Sequence, residues 1–145
     1  MFIGEFQHSI DEKGRVAVPA KFRRQISGGA IITKGLDYRC LFVLPKKDWD
    51  NFVKRFSASP TISQANSRAF ARYMFSGASD VELDTQGRVL IPDNLRAFAR
   101  LKKSAMVIGV YNRIEIWDLA DWQRYKAKIE ESSEEIAEKM ADLGI

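Results

Sequence analysis

The sequence predicts an α+β fold in which two copies of one strand-rich unit interlock into a single barrel-like core, with helices around it. The first observation is a repeat. Asp11-Glu12-Lys13-Gly14-Arg15-Val16-Ala17-Val18-Pro19 returns as Asp84-Thr85-Gln86-Gly87-Arg88-Val89-Leu90-Ile91-Pro92, and the same shift of 73 relates Arg23 to Arg96, Tyr38 to Tyr111, Val43 to Ile116 and Asp48-Trp49 to Asp121-Trp122. The second is that each copy carries short alternating runs bounded by turn residues, as half-buried strands do. The third is that a unit of this size exposes sheet edges and cannot bury its apolar face alone, so the copies must share a core. The division expected is residues 1–76, a first repeat with a linker helix, and 77–145, a second repeat with a C-terminal helix, the two forming one compact unit.

From Phe2 to Ile10, Phe2, Phe6 and Ile10 fall on one strand face with His8, and Glu5, Gln7 and Ser9 on the other. This run predicts the first arm of a hairpin. Asp11–Gly14 fits a type I turn followed by a glycine at positive φ, which glycine adopts at little cost. Arg15–Val18 is the returning strand, and Pro19 suits the first turn of a helix running to about Ile26, with Phe22 and Ile26 inward. Ala30–Thr33 and Cys40–Leu44 read as strands. A helix from about Pro45 carries Trp49, Phe52, Val53 and Phe56 at i, i+3, i+4, i+7, which predicts Trp49 as a core anchor.

Ser57-Ala58-Ser59-Pro60 breaks that helix, and Ser63–Met74 predicts a third, with Phe70, Tyr73 and Met74 inside, Arg68 and Arg72 outside, and Gly77 at its end. In the second copy Ala105–Val110 and Arg113–Trp117 are strands. One helix capped by Asp118 is expected to carry Trp122, Tyr125, Ile129, Ile136, Met140 and Leu143, with an acidic far end from Glu130 to Asp142.

The 145 residues, 46% hydrophobic and 29% charged, suffice for one ordinary core. The net charge of +4 is unevenly placed. Thirteen Lys and Arg against six Asp and Glu give residues 1–73 a charge of +7, and ten against thirteen give residues 74–145 a charge of −3. Cys40, the single cysteine, sits in the apolar run Cys40-Leu41-Phe42-Val43-Leu44 and reads as a core residue in a reducing compartment. Met1–Phe6 has no basic leader followed by a long apolar run, and no stretch reaches about 18 apolar residues. A soluble, cytoplasmic protein is expected.

Catalysis finds little support. The one histidine, His8, sits in a strand between apolar neighbours, and no phosphate loop, dinucleotide fingerprint or zinc-protease helix occurs. No catalytic residue, metal, cofactor or small-molecule substrate is expected. The two arginines carry more. Asp11 and Asp84 can accept turn amides and pair with Arg15 and Arg88, which aims each guanidinium near a hairpin tip. With Lys13 at the first tip and Lys21, Arg23 and Arg24 on the helix after it, phosphates could be neutralised, while arginine suits guanine O6 and N7 in the major groove. A lone Asp-x-x-Gly-Arg is a common turn; two in register, each followed by a basic helix, shift the balance toward double-stranded DNA, although simple structural duplication also repeats a turn. The second tip, Asp84, Gln86, Gly87 and Arg88, lacks the lysine.

The Phe2-Ile3-Gly4-Glu5-Phe6 opening, the pairs Asp11…Arg15 and Asp84…Arg88, both Val/Ile-Pro steps and the two Asp-Trp pairs resemble the MraZ family of bacterial transcriptional regulators, within the wider group of AbrB-like swapped-hairpin domains. The resemblance covers the whole length. It implies a double-split, swapped-hairpin β-barrel built from both repeats with peripheral helices, assembled into homo-oligomeric rings in which the Asp-x-x-x-Arg loops face DNA. It also implies binding to direct repeats upstream of the family's own operon, in a cell-division and cell-wall gene cluster, usually as a repressor in the nucleoid. On this reading Asp11, Lys13, Gly14, Arg15, Lys21, Arg23, Arg24, Asp84, Gln86, Gly87 and Arg88 form the DNA-binding set. A second reading is an AbrB-like protein-interaction module or antitoxin-type regulator that docks a partner through the helix from Ala127 onward.

Overall fold

The structure, a computed structural model, describes residues 1–59 and 64–144. The described chain begins with strands β1 (Phe2–Ser9) and β2 (Arg15–Ala17), helix α1 (Ala20–Arg23) with a 3₁₀ turn at Arg24–Ile26, and strands β3 (Ala30–Lys34) and β4 (Leu41–Pro45). Helices α2 (Lys46–Ser57) and α3 (Ala65–Ser76) follow. The second half has β5 (Ser79–Val81), β6 (Arg88–Leu90), α4 (Asp93–Phe98), β7 (Ser104–Tyr111), β8 (Arg113–Asp118), α5 (Leu119–Glu131) and α6 (Ser133–Met140). Pro60 and Ser63, the expected break and helix start, lie outside the described residues.

The pairing exchanges strands between the copies. A six-stranded antiparallel sheet has the order β1-β7-β8-β4-β3-β5, and a separate two-stranded sheet joins β2 to β6. β1 therefore lies on β7, with Phe6 opposite Val107, and its counterpart β5 lies on β3, with Val81 opposite Ala30. The hairpin expected between β1 and β2 thus holds at its tip, where the Asp11 amide donates to Arg15 O at 3.0 Å, and is corrected beyond it. Among the described residues these strands meet at one bridge, Ile10 to Val16, because β2 is three residues long before Pro19 and pairs with its own counterpart, Val16 opposite Val89.

One core results. Phe2, Ile10, Val16, Val18, Phe22, Ile26, Ile32, Leu41 and Val43 pack with Val81, Val89, Ile91, Leu95, Ala99, Val107, Ile114 and Ile116. Phe22 is fully buried and takes the rings of Phe2 and Phe6 edge-on, with centroids 5.3 and 5.5 Å away. A second cluster on the outer side of the sheet joins Cys40, Ile108 and Trp117, with Trp122 and Tyr125 of α5 over it. Asp118 caps α5 by accepting the amide of Asp121 at 3.2 Å.

Two packing expectations differ from the structure. Trp49, Phe52, Val53 and Phe56 are half-buried, because α2 packs its stripe on the half-exposed Phe70 and Phe75 of α3. The long C-terminal helix is broken at Ser132, where φ −97° and ψ 10° separate α5 from α6. Serine competes for backbone groups, and Ile136, Met140 and Leu143 stay exposed.

Truncating Phe22 to alanine should cost about 3–5 kcal/mol in chemical denaturation, since its ring is fully buried in the shared core. Cys40 is buried, and burial followed by the charge of Glu115 pushes its thiol up to about 12. It should therefore react with a disulfide reagent at pH 8 only as fast as the chain unfolds, which a colorimetric thiol assay with and without denaturant would measure.

Candidate nucleic-acid interface

Each Asp-x-x-x-Arg loop is a closed hydrogen-bonded unit. Gly14 has φ +84° and Gly87 φ +75°, the left-handed conformation the turn requires. Asp11 Oδ1 accepts the amides of Lys13 at 3.0 Å and Arg15 at 2.8 Å, and Oδ2 accepts Arg15 Nε at 2.6 Å. Asp84 does the same with the amides of Gln86 and Arg88, both at 2.9 Å, and with Arg88 Nε at 2.8 Å. The amide of Arg15 and then its guanidinium, against the cost of burial, hold the Asp11 carboxyl below the usual carboxylate range; Arg88 acts likewise on Asp84. The aspartates grip the Nε edges. Among the described residues the Nη groups of Arg15 make no hydrogen bond to protein, so they are available to an acceptor outside it.

The β2–β6 pair sets the two loops side by side. Val18 N–H donates to Gly87 O and Ile91 N–H to Gly14 O, both at 2.9 Å, and Arg88 Nη1 lies 3.7 Å from Asp11 Oδ2. The helices are exchanged too. Arg23 lies over Gly87, where an added Cβ would come within 2.3 Å of its guanidinium carbon, and Arg96 lies over Gly14, at 2.7 Å by the same measure. Arg23 is held there by donating from Nε to Val18 O at 2.9 Å, and Arg96 pairs with Asp93.

This placement rearranges the basic cluster expected from sequence. Lys13 and Gln86 are exposed at the tips, and Arg15 and Arg88 are half-buried beside their aspartates. Arg23 belongs with the second tip and not with Lys13 and Arg15, because the helix after each tip packs on the other copy's loop. Arg24 is exposed on the 3₁₀ turn. Lys21 points its ammonium over the Phe6 ring, 5.3 Å from the centroid, alongside β1.

Residues missed by the sequence reading complete the first tip. Arg96, Lys102 and Lys103 flank it, since the Ile10 amide donates to Lys103 O at 2.8 Å and Arg96 covers Gly14. A signal was present. Arg96-Ala97-Phe98-Ala99-Arg100-Leu101-Lys102-Lys103 has four cations and no carboxylate, in a half whose overall charge is negative.

His8 and Cys40 offer little to a catalytic reading. Burial and then the neighbouring Arg23 lower the His8 pKa, so the ring is neutral at pH 7, and its Nε2 is buried without a partner. Among the described residues no group of three or more His, Cys, Asp and Glu side chains gathers to hold a metal, and no helix is long and apolar enough to cross a membrane.

The profile of a family described as MraZ protein, putative antitoxin-like, matches residues 1–73 and again residues 74–144. The chain belongs to the MraZ family. It is 49% identical over 143 residues to a protein of Desulforamulus reducens named transcriptional regulator MraZ, covering 99% of both chains. Relatives of the same name from Halothermothrix orenii and Pelotomaculum thermopropionicum are each 48% identical over 145 residues, covering 100% of this chain and 100% and 99% of theirs. The family is thus one of transcription regulators, and the two matches meet between the copies that the structure interleaves.

The lowered carboxyls of Asp11 and Asp84 stabilise the fold while ionised. That contribution is complete above the unfolded value near pH 3.8 and declines as pH falls below it toward the lower folded values. Urea titrations at pH 7 and pH 3 should show the gap between wild type and an Asp11→Asn/Asp84→Asn double variant narrowing at the lower pH; an equal gap at both would remove the carboxylates from the loops' stability.

Proposed function

We propose that this chain regulates transcription by binding duplex DNA through the paired tips, with Arg15 and Arg88 reading base edges and Lys13, Gln86, Arg23, Arg24, Lys102 and Lys103 on or beside the backbone. The observation that carries the reading is the side-by-side placement of two arginines, each clamped at Nε by the aspartate of its own loop, with Arg88 Nη1 a further 3.7 Å from Asp11 Oδ2 and the Nη groups of Arg15 unbonded to protein among the described residues. A guanidinium aimed in one direction loses less freedom when it forms a bidentate contact with guanine. Asp11, Gly14, Asp84 and Gly87 shape the tips, and Lys21 reaches the backbone from β1's side.

The tip region is only moderately basic, because Asp11, Glu12, Asp84 and Asp93 stand among its cations. Affinity must then come from several subunits engaging at once. We infer a ring of copies meeting direct repeats in the promoter of the chain's own division and cell-wall gene cluster, in the cytoplasm at the nucleoid, with repression as the outcome of promoter occupancy. We infer also that the two sheets and shared core belong to a double-split, swapped-hairpin barrel, with residues 1–76 and 77–145 as its two AbrB-like repeats. The exposed Ile136, Met140 and Leu143 of the C-terminal segment favour a packing role in that assembly. The second reading places a different protein partner on that surface.

Fluorescence anisotropy with DNA from upstream of the chain's own gene should show Arg15→Ala losing about 1–3 kcal/mol of discrimination against a scrambled duplex. Lys103→Ala should weaken both duplexes alike and lower the salt slope by about one. Wild-type discrimination retained in Arg15→Ala would refute the assignment.

A further inference from the structure

We propose that the cavity between α5 and the loop joining β3 to β4 is a binding site for a nucleoside phosphate, separate from the paired tips. Its volume is about 590 Å³, within the range of small-ligand sites. One wall is aromatic. Tyr125 stacks on Trp117 with centroids 5.0 Å apart and planes 15° apart, and Tyr38 lies against Tyr125 at 4.2 Å while remaining 43% exposed. A large ring left in water beside a fixed stack is a platform for a planar base.

The rest of the lining is cationic. Arg39, Arg100, Arg124 and Lys128 line it, and Asp121 is the one carboxylate there. Asp121 is committed, 3.2 Å from Arg100 Nη2 and paired with Arg124 as well. Among the described residues Arg39 and Lys128 pair with no carboxylate, and Arg39 stands over the Phe98 ring, 5.7 Å from its centroid. Four cations against one acid leave an excess of about three charges, which suits a chain of phosphates more than a single carboxylate. Arg100 also holds φ +54°, a conformation that arginine seldom adopts, at the end of α4.

Aromatic platform and cation excess together select a ligand with both a flat ring and several negative charges. A peptide or simple anion uses only one wall. The reading does not depend on whether the tips bind DNA.

Isothermal titration of ATP, adenosine and inorganic tripolyphosphate into the full chain, free of DNA, separates the two walls. ATP should bind saturably at one site per chain, with adenosine and tripolyphosphate each at least tenfold weaker. Tyr38→Ala should weaken ATP about tenfold, as loss of one stacking partner does, and Arg39→Ala and Arg124→Ala should weaken ATP and tripolyphosphate while leaving adenosine unchanged. These side chains are exposed, so the variants fold, and Lys47→Ala serves as the unchanged control. Three results would overturn the site: no saturable ATP binding, tripolyphosphate binding as tightly as ATP, or ATP binding that survives all three substitutions. Loss of ATP binding in Arg15→Ala alone would likewise overturn it, by placing the nucleotide at the tips.

Discussion

Everything in this structure depends on β2 finding β6. Each strand is three residues long and would hold no partner by itself, yet the two amides beyond their ends, of Val18 and Ile91, bond to Gly87 O and Gly14 O in the opposite copy. Those bonds need both turn glycines at positive φ with their carbonyls facing the partner. Once they form, each copy's helix is carried over the other copy's loop, and β1 and β5 are carried onto β7 and β3. A fold assembled in this way cannot be divided into two independent halves, although its sequence divides cleanly into two.

The same exchange explains why the charge is hard to read along the chain. The basic excess of residues 1–73 suggested one strong tip and one weak one. In space, Arg23 goes to the second tip while Arg96, Lys102 and Lys103 go to the first, so the cations are shared out. The clamps complete the arrangement. Each aspartate uses one oxygen on two amides and the other on Nε, which fixes the loop and the arginine by one carboxylate. The hydrogen bonds of both loops and the proposed DNA contact thus draw on the same four side chains, Asp11, Arg15, Asp84 and Arg88.

Much of this was legible beforehand. The repeat, the turn chemistry, Phe22 and Ile26 facing inward and the Asp118 cap all follow from local rules, because φ preferences and apolar spacing act within a few residues. What was not legible is which copy supplies a strand's partner: alternation marks the face that β1 buries, but His8 and Ala105 carry no label naming each other. Trp49 shows the same limit for helices. Its spacing marks an inward face, and the ring of Phe75 on α3, which spacing could not name, meets Trp49 there. The break at Ser132 was readable from two adjacent serines, but the apolar spacing of Ile129 and Ile136 across it was the stronger signal.

The central claim is that one recognition face is built from both copies at once. Hydrogen–deuterium exchange of the full chain, with and without duplex from upstream of its own gene, tests it most directly. Protection should rise together in peptides covering residues 11–15, 84–88 and 96–103, with the core strands unchanged. Protection confined to a single tip, or to the segment from Ala127 onward, would contradict a shared face and leave the paired loops as architecture alone.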